Sequence, residues 1–293
     1  MPVFSSRLAL GTVQFGLPYG IANRTGQVGH EAATTIVGHA AAAGIDTLDT
    51  AVAYGDCEAR LGSIGVRSWQ VVTKLPPVPE DCSDTARWVG DAVAGSLARL
   101  AIDRLHGLLL HSAPQLTRPR GAELYAALTD LKRSGKVECV GVSIYSPSEL
   151  DALPAEFHLD MVQAPFNIID RRLATSGWLA RLRAQGTQVH VRSVFLQGLL
   201  LMDSDRRPQK FARWDDLWRR WERWLCAEHL TPLQACLSFP ASYPEIDRII
   251  VGVDSPRHLD EILEAAAVQR PRAPAEISSE DPQLVDPSTW TLQ

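Results

Sequence analysis

The chain has 293 residues and a mass of 32.1 kDa, with 45% hydrophobic and 22% charged residues, enough to bury one large α/β core or two smaller ones. A formal net charge of -5 and a pI near 5.9, without any run of lysine or arginine, argue against a nucleic-acid or anionic-membrane surface and favour small-molecule chemistry. No stretch approaches the roughly 20 apolar residues of a bilayer span, and MPVFSSRLAL lacks a signal-peptide core, so a cytoplasmic location is expected.

Cys57, Cys82, Cys139, Cys226 and Cys236 are scattered, with no CxxC pair and no Cys/His ligand spacing. Neither a disulfide framework nor a metal site is expected. In chain order, LALGTV reads as a strand, HEAATTIVGHAAAAG as a helix, IDTLDT as a strand, the segment from Glu58 as a short helix, and QVVTK as a strand. DTARWVGDAVAGSLARL, GLLLH, GAELYAALTDLKRSG, ECVGVS, SPSELDAL, DMVQA, LATSGWLARLRAQG and QVHVRS continue the alternation. A tryptophan-rich helix, RIIVGV and SPRHLDEILEAAA close it. About eight strand–helix pairs in such a length predict an α/β (β/α)8 TIM barrel over residues 1–270. A doubly wound sheet would carry GxGxxG after its first strand, and LGTVQFGLPYG lacks that spacing. Glycines in KRSGK, RAQGT and AAAGI stand where helices need a left-handed residue before the next strand.

The carboxyl ends of barrel strands converge on one face, so the polar residues that close the apolar runs share one mouth. These are Asp49, Lys74, His111, Ser143, Gln163 and Ser193, an acid, a base and an imidazole among them. Tyr54, five residues beyond Asp49, can fold back over the mouth and serve as a proton donor. Lys74 would favour its phenolate, opposed by burial and by Asp49, with a net downward shift of the phenol pKa expected. His111 would orient a substrate carbonyl oxygen beside the phenol.

DTAVAYGDCEARLG (49–62), VVTK (71–74), SLARLAIDRLHGLLLH (96–111), GVS (141–143) and VQAPFN (162–167), in this order, resemble the aldo-keto reductase family, and the likeness runs from Leu8 to Ala267. The resemblance implies a barrel that carries NAD(P)H across its carboxyl face and reduces aldehydes or ketones to alcohols. It implies a catalytic tetrad of Asp49, Tyr54, Lys74 and His111. It also places Ser143 and Gln163 at the nicotinamide carboxamide, and Ser193, Leu196 and Gln197 along the pyrophosphate. Ile144 stands where the family often has asparagine, and Arg192 where many members stack an aromatic ring on the nicotinamide; a planar guanidinium can stack as well.

At the last strand–helix junction, Ser255 is placed as N-cap and Pro256 as first helical residue, so the helix N-terminus can accept a phosphate. Arg257 and His258 favour a 2′-phosphate and Asp254 opposes it, so NADP(H) is expected to be preferred, with NAD(H) not excluded. Gln14, Phe15, Tyr145 and Phe166, together with Tyr19 and Phe195, are expected to wall a substrate pocket suited to a sugar-type carbonyl. Trp214, Trp218, Trp221 and Trp224 share one helical face, expected to pack on the barrel. The tail 271–293 is disordered by composition, yet Trp290 and Leu292 should anchor it, bordering the substrate mouth as such tails do in the family. Two other functions fit the same residues: a nicotinamide-binding regulatory subunit with little turnover, like potassium-channel β subunits, and a barrel lyase using Lys74 as a Schiff base. Oligomeric state is not legible.

Overall fold

Eight short apolar runs become eight parallel strands in the computed structural model, which describes residues 5–267 and 273–290. They are β1 (Leu8–Gly11), β2 (Thr47–Asp49), β3 (Gln70–Leu75), β4 (Leu105–Leu110), β5 (Val137–Ser143), β6 (Met161–Pro165), β7 (Gln188–Arg192) and β8 (Arg248–Gly252). Each pairs with the next, and β8 pairs back onto β1 through Leu10↔Val251 and Gly11↔Gly252, closing the barrel. This is the expected (β/α)8 barrel. Nearly every strand residue is buried because helices cover the outer face while the barrel fills its own interior.

The helices follow the periodic segments: His30–Ala42, Cys57–Ile64, Thr85–Leu100, Gly121–Arg133, Asp215–Ala227 and Pro256–Ala266. Gly44, Gly135 and Gly186 take positive φ (83°, 74° and 75°) just after helices, as a left-handed terminator requires. Two segments differ from expectation. SPSELDAL holds only the four-residue helix Ser148–Asp151, and LATSGWLARLRAQG breaks into Arg172–Thr175 and Trp178–Ala184 around Gly177 at φ 80°. An additional helix, Pro232–Ala241, is started by a reciprocal Thr231/Gln234 capping box.

The tryptophan face packs inward, with Trp218 and Trp221 buried and the Trp218 indole N–H donating to the Phe211 carbonyl. The described part of the tail lies on this helix rather than in solvent. Arg220 donates to the Glu276 carbonyl, Trp214 to Asp281, and the Trp290 ring meets Phe211 edge-on at 4.9 Å. Ile277, Leu284 and Val285 are buried, which overrides the composition-based expectation of disorder: burying a large aliphatic side chain stabilises by about 1.5–3 kcal/mol. Leu292 lies outside the described residues. No described helix is long and apolar enough to cross a membrane.

Candidate active site

A cavity of about 750 Å³ opens at the carboxyl ends of the strands. Asp49, the last residue of β2, stands in register with Gly11 and Val72 and is fixed from behind by the Thr12 hydroxyl, which donates to its backbone carbonyl at 2.8 Å. The chain then turns over the mouth and delivers Tyr54. That turn depends on two glycines: a Cβ on Gly16 would lie 1.8 Å from the Tyr54 carbonyl oxygen, and Gly55 takes φ 56° with its own Cβ position 2.6 Å from the Gly16 carbonyl. Only glycine allows this approach.

Lys74 projects from β3 into the barrel with 1% of its side chain exposed. Its ammonium donates to both Asp49 oxygens at 2.7 and 2.8 Å and to the Thr50 carbonyl at 2.9 Å, which uses all three of its protons. It lies 5.3 Å from the centre of the Tyr54 ring, and that ring meets His111 edge-on at 6.0 Å. The four residues of the expected tetrad are therefore neighbours, and Asp49, Tyr54 and His111 line the cavity. Lys74 does not line it; it sits one layer below.

The expected downward shift of the Tyr54 phenol is corrected by the structure. Burial, then the Asp49 carboxylate, push it well above 10, and Arg192 only partly opposes them. Physically, burial outweighs the lysine on which that expectation relied, and Asp49 adds to it. Burial also lowers Lys74, and burial with the charges of Lys74 and Arg192 lowers His111 to about 4, so the imidazole is neutral at pH 7 and offers an uncharged N–H.

Ser143 and Gln163 are register partners on β5 and β6. Gln163 donates to Asp49 at 2.6 Å through its amide nitrogen, which leaves its Oε1 buried without a partner; the Ser143 hydroxyl is also unpartnered. Gln14 Oε1 and Asp254 Oδ1 are in the same state, so three of the seven described buried side-chain polar atoms that lack a partner belong to residues lining this cavity, and Ser143, which does not line it, is the register partner of one of them. Unsatisfied buried polar atoms concentrated at one cavity indicate a polar ligand. A dinucleotide with an amide, ribose hydroxyls and phosphates fits this set.

At the opposite wall, Ser193 has φ 59° and its carbonyl accepts from the Asn167 amide at 3.0 Å. Leu196, Gln197 and Gly198 follow with φ of 48°, 54° and 90°. Gly198 touches Ala22, and the Gln197 amide donates to the Tyr19 hydroxyl at 3.2 Å, so the loops after β1 and β7 meet over the mouth. Ser193 and Gln197 line the cavity, whereas Leu196, expected along the pyrophosphate, has its side chain buried in the core and does not line it.

Several expected contacts need correction. Phe15 and Phe166 are 0% exposed and do not line the cavity; Phe166 packs against Phe239 and Tyr243 at 5.1 and 5.0 Å. Both follow a strand end, but their side chains turn into the helix layer. Tyr19, Tyr145 and Phe195 do line the wall. Gln14 lines it too, yet it lies against Gly252 of β8, where a Cβ would come within 2.4 Å of its Nε2, so it belongs to the Asp254 side. Ser255 caps the helix Pro256–Ala266 by accepting the His258 N–H and does not line the cavity. Arg257 points away, 86% exposed, in an ion pair with Glu261 at 2.8 Å, while Asp254, His258 and Glu261 face the cavity. Arg24, Asp203 and Arg206 also line it and were not singled out by the sequence; their place on the loops leaving β1 and β7 was the available signal.

The chain belongs to the aldo/keto reductase family, whose family model matches residues 7–275. It is 30% identical over 217 residues, 67% of its length, to an NADH-specific methylglyoxal reductase of Escherichia coli strain K12. It is 36% identical over 138 residues, 41% of its length, to a 6-dehydroglucose reductase of Novosphingobium aromaticivorans. These matches span 65% and 44% of the two relatives. Among solved structures it resembles an aldo-keto reductase from Bacillus halodurans in its holo form (TM-score 0.73, 20% identity, 91% of this chain and 88% of that one). It also resembles the glycerol dehydrogenase of Gluconobacter oxydans (TM-score 0.71, 20% identity, 90% and 88%). At this identity the solved structures speak for the fold.

Proposed function

We propose that the protein is a nicotinamide-dependent reductase of small oxygen-rich aldehydes or ketones, with Tyr54 as proton donor. The observation that carries this reading is the phenol of Tyr54 beside a neutral imidazole, above a buried Lys74–Asp49 pair, in a cavity whose other unsatisfied polar atoms suit a dinucleotide. The dinucleotide, when bound, supplies a hydride. Tyr54 then gives its proton to the carbonyl oxygen that His111 orients through its N–H. A phenol held well above 10 stays protonated at neutral pH and is ready to donate.

Ser143 and the free Oε1 of Gln163 would hold the carboxamide, and Ser193 with the left-handed turn through Gln197 the pyrophosphate. The sequence favoured NADPH on the strength of Arg257 and His258. With Arg257 outside the cavity and paired to Glu261, His258 and the unpaired carboxylate of Asp254 remain at this end, and Asp254 suits a free 2′-hydroxyl better than a 2′-phosphate. We therefore assign the preference to NADH, with NADPH the weaker ligand. The likeness to a protein named for NADH specificity supports this assignment.

Relatives named for methylglyoxal and 6-dehydroglucose agree with a pocket wall of Tyr19, Tyr145, Phe195 and Arg192, which mixes aromatic faces with donors. A Schiff-base lyase fits poorly, since Lys74 is sealed beneath the mouth and all its protons are engaged. The test is a fluorescence titration with NADH and NADPH, followed by turnover on a panel of small hydroxylated and dicarbonyl aldehydes, for wild type and Tyr54→Phe. The variant should bind cofactor within a few-fold of wild type and lose turnover by about 10²–10⁴. Retained turnover would remove Tyr54 from its role, and cofactor binding without turnover in wild type would leave a regulatory subunit.

A further inference from the structure

Two side chains reach the Asp49 carboxylate. Lys74 donates to both of its oxygens at 2.7 and 2.8 Å, and Gln163, across the barrel on β6, donates to Oδ1 at 2.6 Å. A carboxylate paired with an ammonium accepts hydrogen bonds and has none to give, so the Gln163 atom that touches it must be the amide nitrogen. That choice fixes the other end of the amide. Gln163 is 0% exposed and lines the cavity, and its Oε1 has no partner among the described residues.

Neighbouring groups do not supply the missing donor. Ser143, the register partner on β5, is 1% exposed with its own hydroxyl unbonded, and Ile144 beyond it has an apolar side chain. The Asn167 amide donates to the Ser193 carbonyl at 3.0 Å while its oxygen accepts from the Ile169 and Asp170 N–H groups. A buried acceptor left without a donor is destabilising, so the direction in which Asp49 turns Gln163 calls for a ligand that brings an N–H.

We propose that Asp49 is a positioning residue for cofactor recognition: it locks the Gln163 amide so that the site presents an acceptor, and thereby reads the N–H of a primary carboxamide. The inference rests on the reading of this cavity as a nicotinamide site. The Ser143 hydroxyl, which can donate, is the complement for the carboxamide oxygen. An amide free to turn over would offer a ligand either its oxygen or its NH2, and the pocket would tell a carboxamide from a ketone poorly. Locked, it leaves a buried oxygen unpaired whenever the ligand lacks a donor, and sites built to bond a group reject analogues without it far more strongly than sites that match shape alone. One carboxylate then serves both partners, holding Lys74 beneath Tyr54 and setting which end of Gln163 meets the dinucleotide.

The probes are NADH and reduced 3-acetylpyridine adenine dinucleotide, in which a methyl group replaces the carboxamide NH2 and the carbonyl is kept. Fluorescence titration gives their Kd values on wild type, Gln163→Met and Asp49→Asn, with no turnover required. Wild type should bind NADH at least about tenfold more tightly than the acetyl analogue, and Gln163→Met, of similar length but without the acceptor, should bring the two within about threefold. In Asp49→Asn the side chain can donate an N–H to Gln163 Oε1 as well as accept from its nitrogen, so the amide is released and the ratio should again fall to within about threefold. A purely structural role for Asp49 would weaken both dinucleotides alike. A ratio that stays at the wild-type value in Asp49→Asn while Gln163→Met abolishes it would therefore overturn the proposal. Should Asp49→Asn fail to fold, Asp49→Asn/Lys74→Met, which leaves no unpaired charge, carries the same expectation and the same refutation. Failure of wild type to bind either dinucleotide, or undiminished discrimination in Gln163→Met, would overturn the underlying placement of the carboxamide at Gln163, and the proposal with it, whatever Asp49→Asn does.

Discussion

Replacing Asp49 with asparagine and Lys74 with methionine, singly and together, tests whether the two act as one neutral unit. Both are buried, at 7% and 1% side-chain exposure, and each is the main partner of the other. Breaking a buried pair by removing one member costs about 3–5 kcal/mol, because the remaining charge has no water to turn to. Removing both leaves mainly the Thr50 carbonyl without the lysine donor, about 1–3 kcal/mol, since asparagine at 49 can still accept from Gln163. The double variant should therefore lose about 1–3 kcal/mol, against the roughly 6–10 kcal/mol of simple addition.

Urea unfolding followed by the emission of the eight tryptophans reads these differences directly. Activity adds a second axis. Lys74→Met leaves the Asp49 charge beside Tyr54, raises the phenol pKa further and should abolish turnover. Asp49→Asn/Lys74→Met restores local neutrality and should recover at least about tenfold of what Lys74→Met lost. Additive stability losses, or a double variant no more active than Lys74→Met, would refute the reasoning.

At the cofactor's far end, Asp254→Asn should improve NADPH binding about tenfold or more relative to NADH, while Arg257→Ala should leave both within about twofold; fluorescence titration decides, and equal changes for the two cofactors would show that position 254 does not read the 2′ group. His190, buried and lowered to about 3, is neutral when folded and titrates near 6.5 when unfolded, so stability is complete above about pH 6.5 and falls as acid protonates the unfolded chain. Its share of that loss at pH 5 is about 2 kcal/mol, and His190→Gln should flatten the fall between pH 7 and 5 in thermal melts; an unchanged slope would exclude it as the cause. Trp290→Ala should cost about 3 kcal/mol with KM unchanged, because Trp290 packs on Phe211 and no described tail residue lines the cavity; a raised KM would place the tail at the mouth.

The barrel was legible because its code is local. Strand–helix alternation, the terminators Gly44, Gly135 and Gly186, and the Ser255 cap are all written within a few residues of where they act. The helix Pro232–Ala241 escaped because LQACLSFPA is apolar on almost every side and shows no amphipathic period, although TPLQ carries the spacing of its capping box. Side-chain direction beyond a strand end is not local in this sense. Phe166 and Tyr145 each stand just past a strand, yet one faces the helix layer and the other the cavity, according to how the next turn rotates the chain.

The site separates along the same line. Which residues gather at the mouth follows from strand order, so Asp49, Tyr54, Lys74 and His111 could be grouped from their positions as strand closures and on the loop between. Whether a charge there is free follows from contacts across the fold. Gln163 reaches Asp49 from 114 residues away, and Lys74 meets it across 25, so neither bond leaves a trace in local spacing. The sequence already sets burial and Asp49 against Lys74 at the phenol of Tyr54, but how deep that burial is follows from the whole fold. The expected direction of that pKa is reversed first by burial and then by the Asp49 carboxylate.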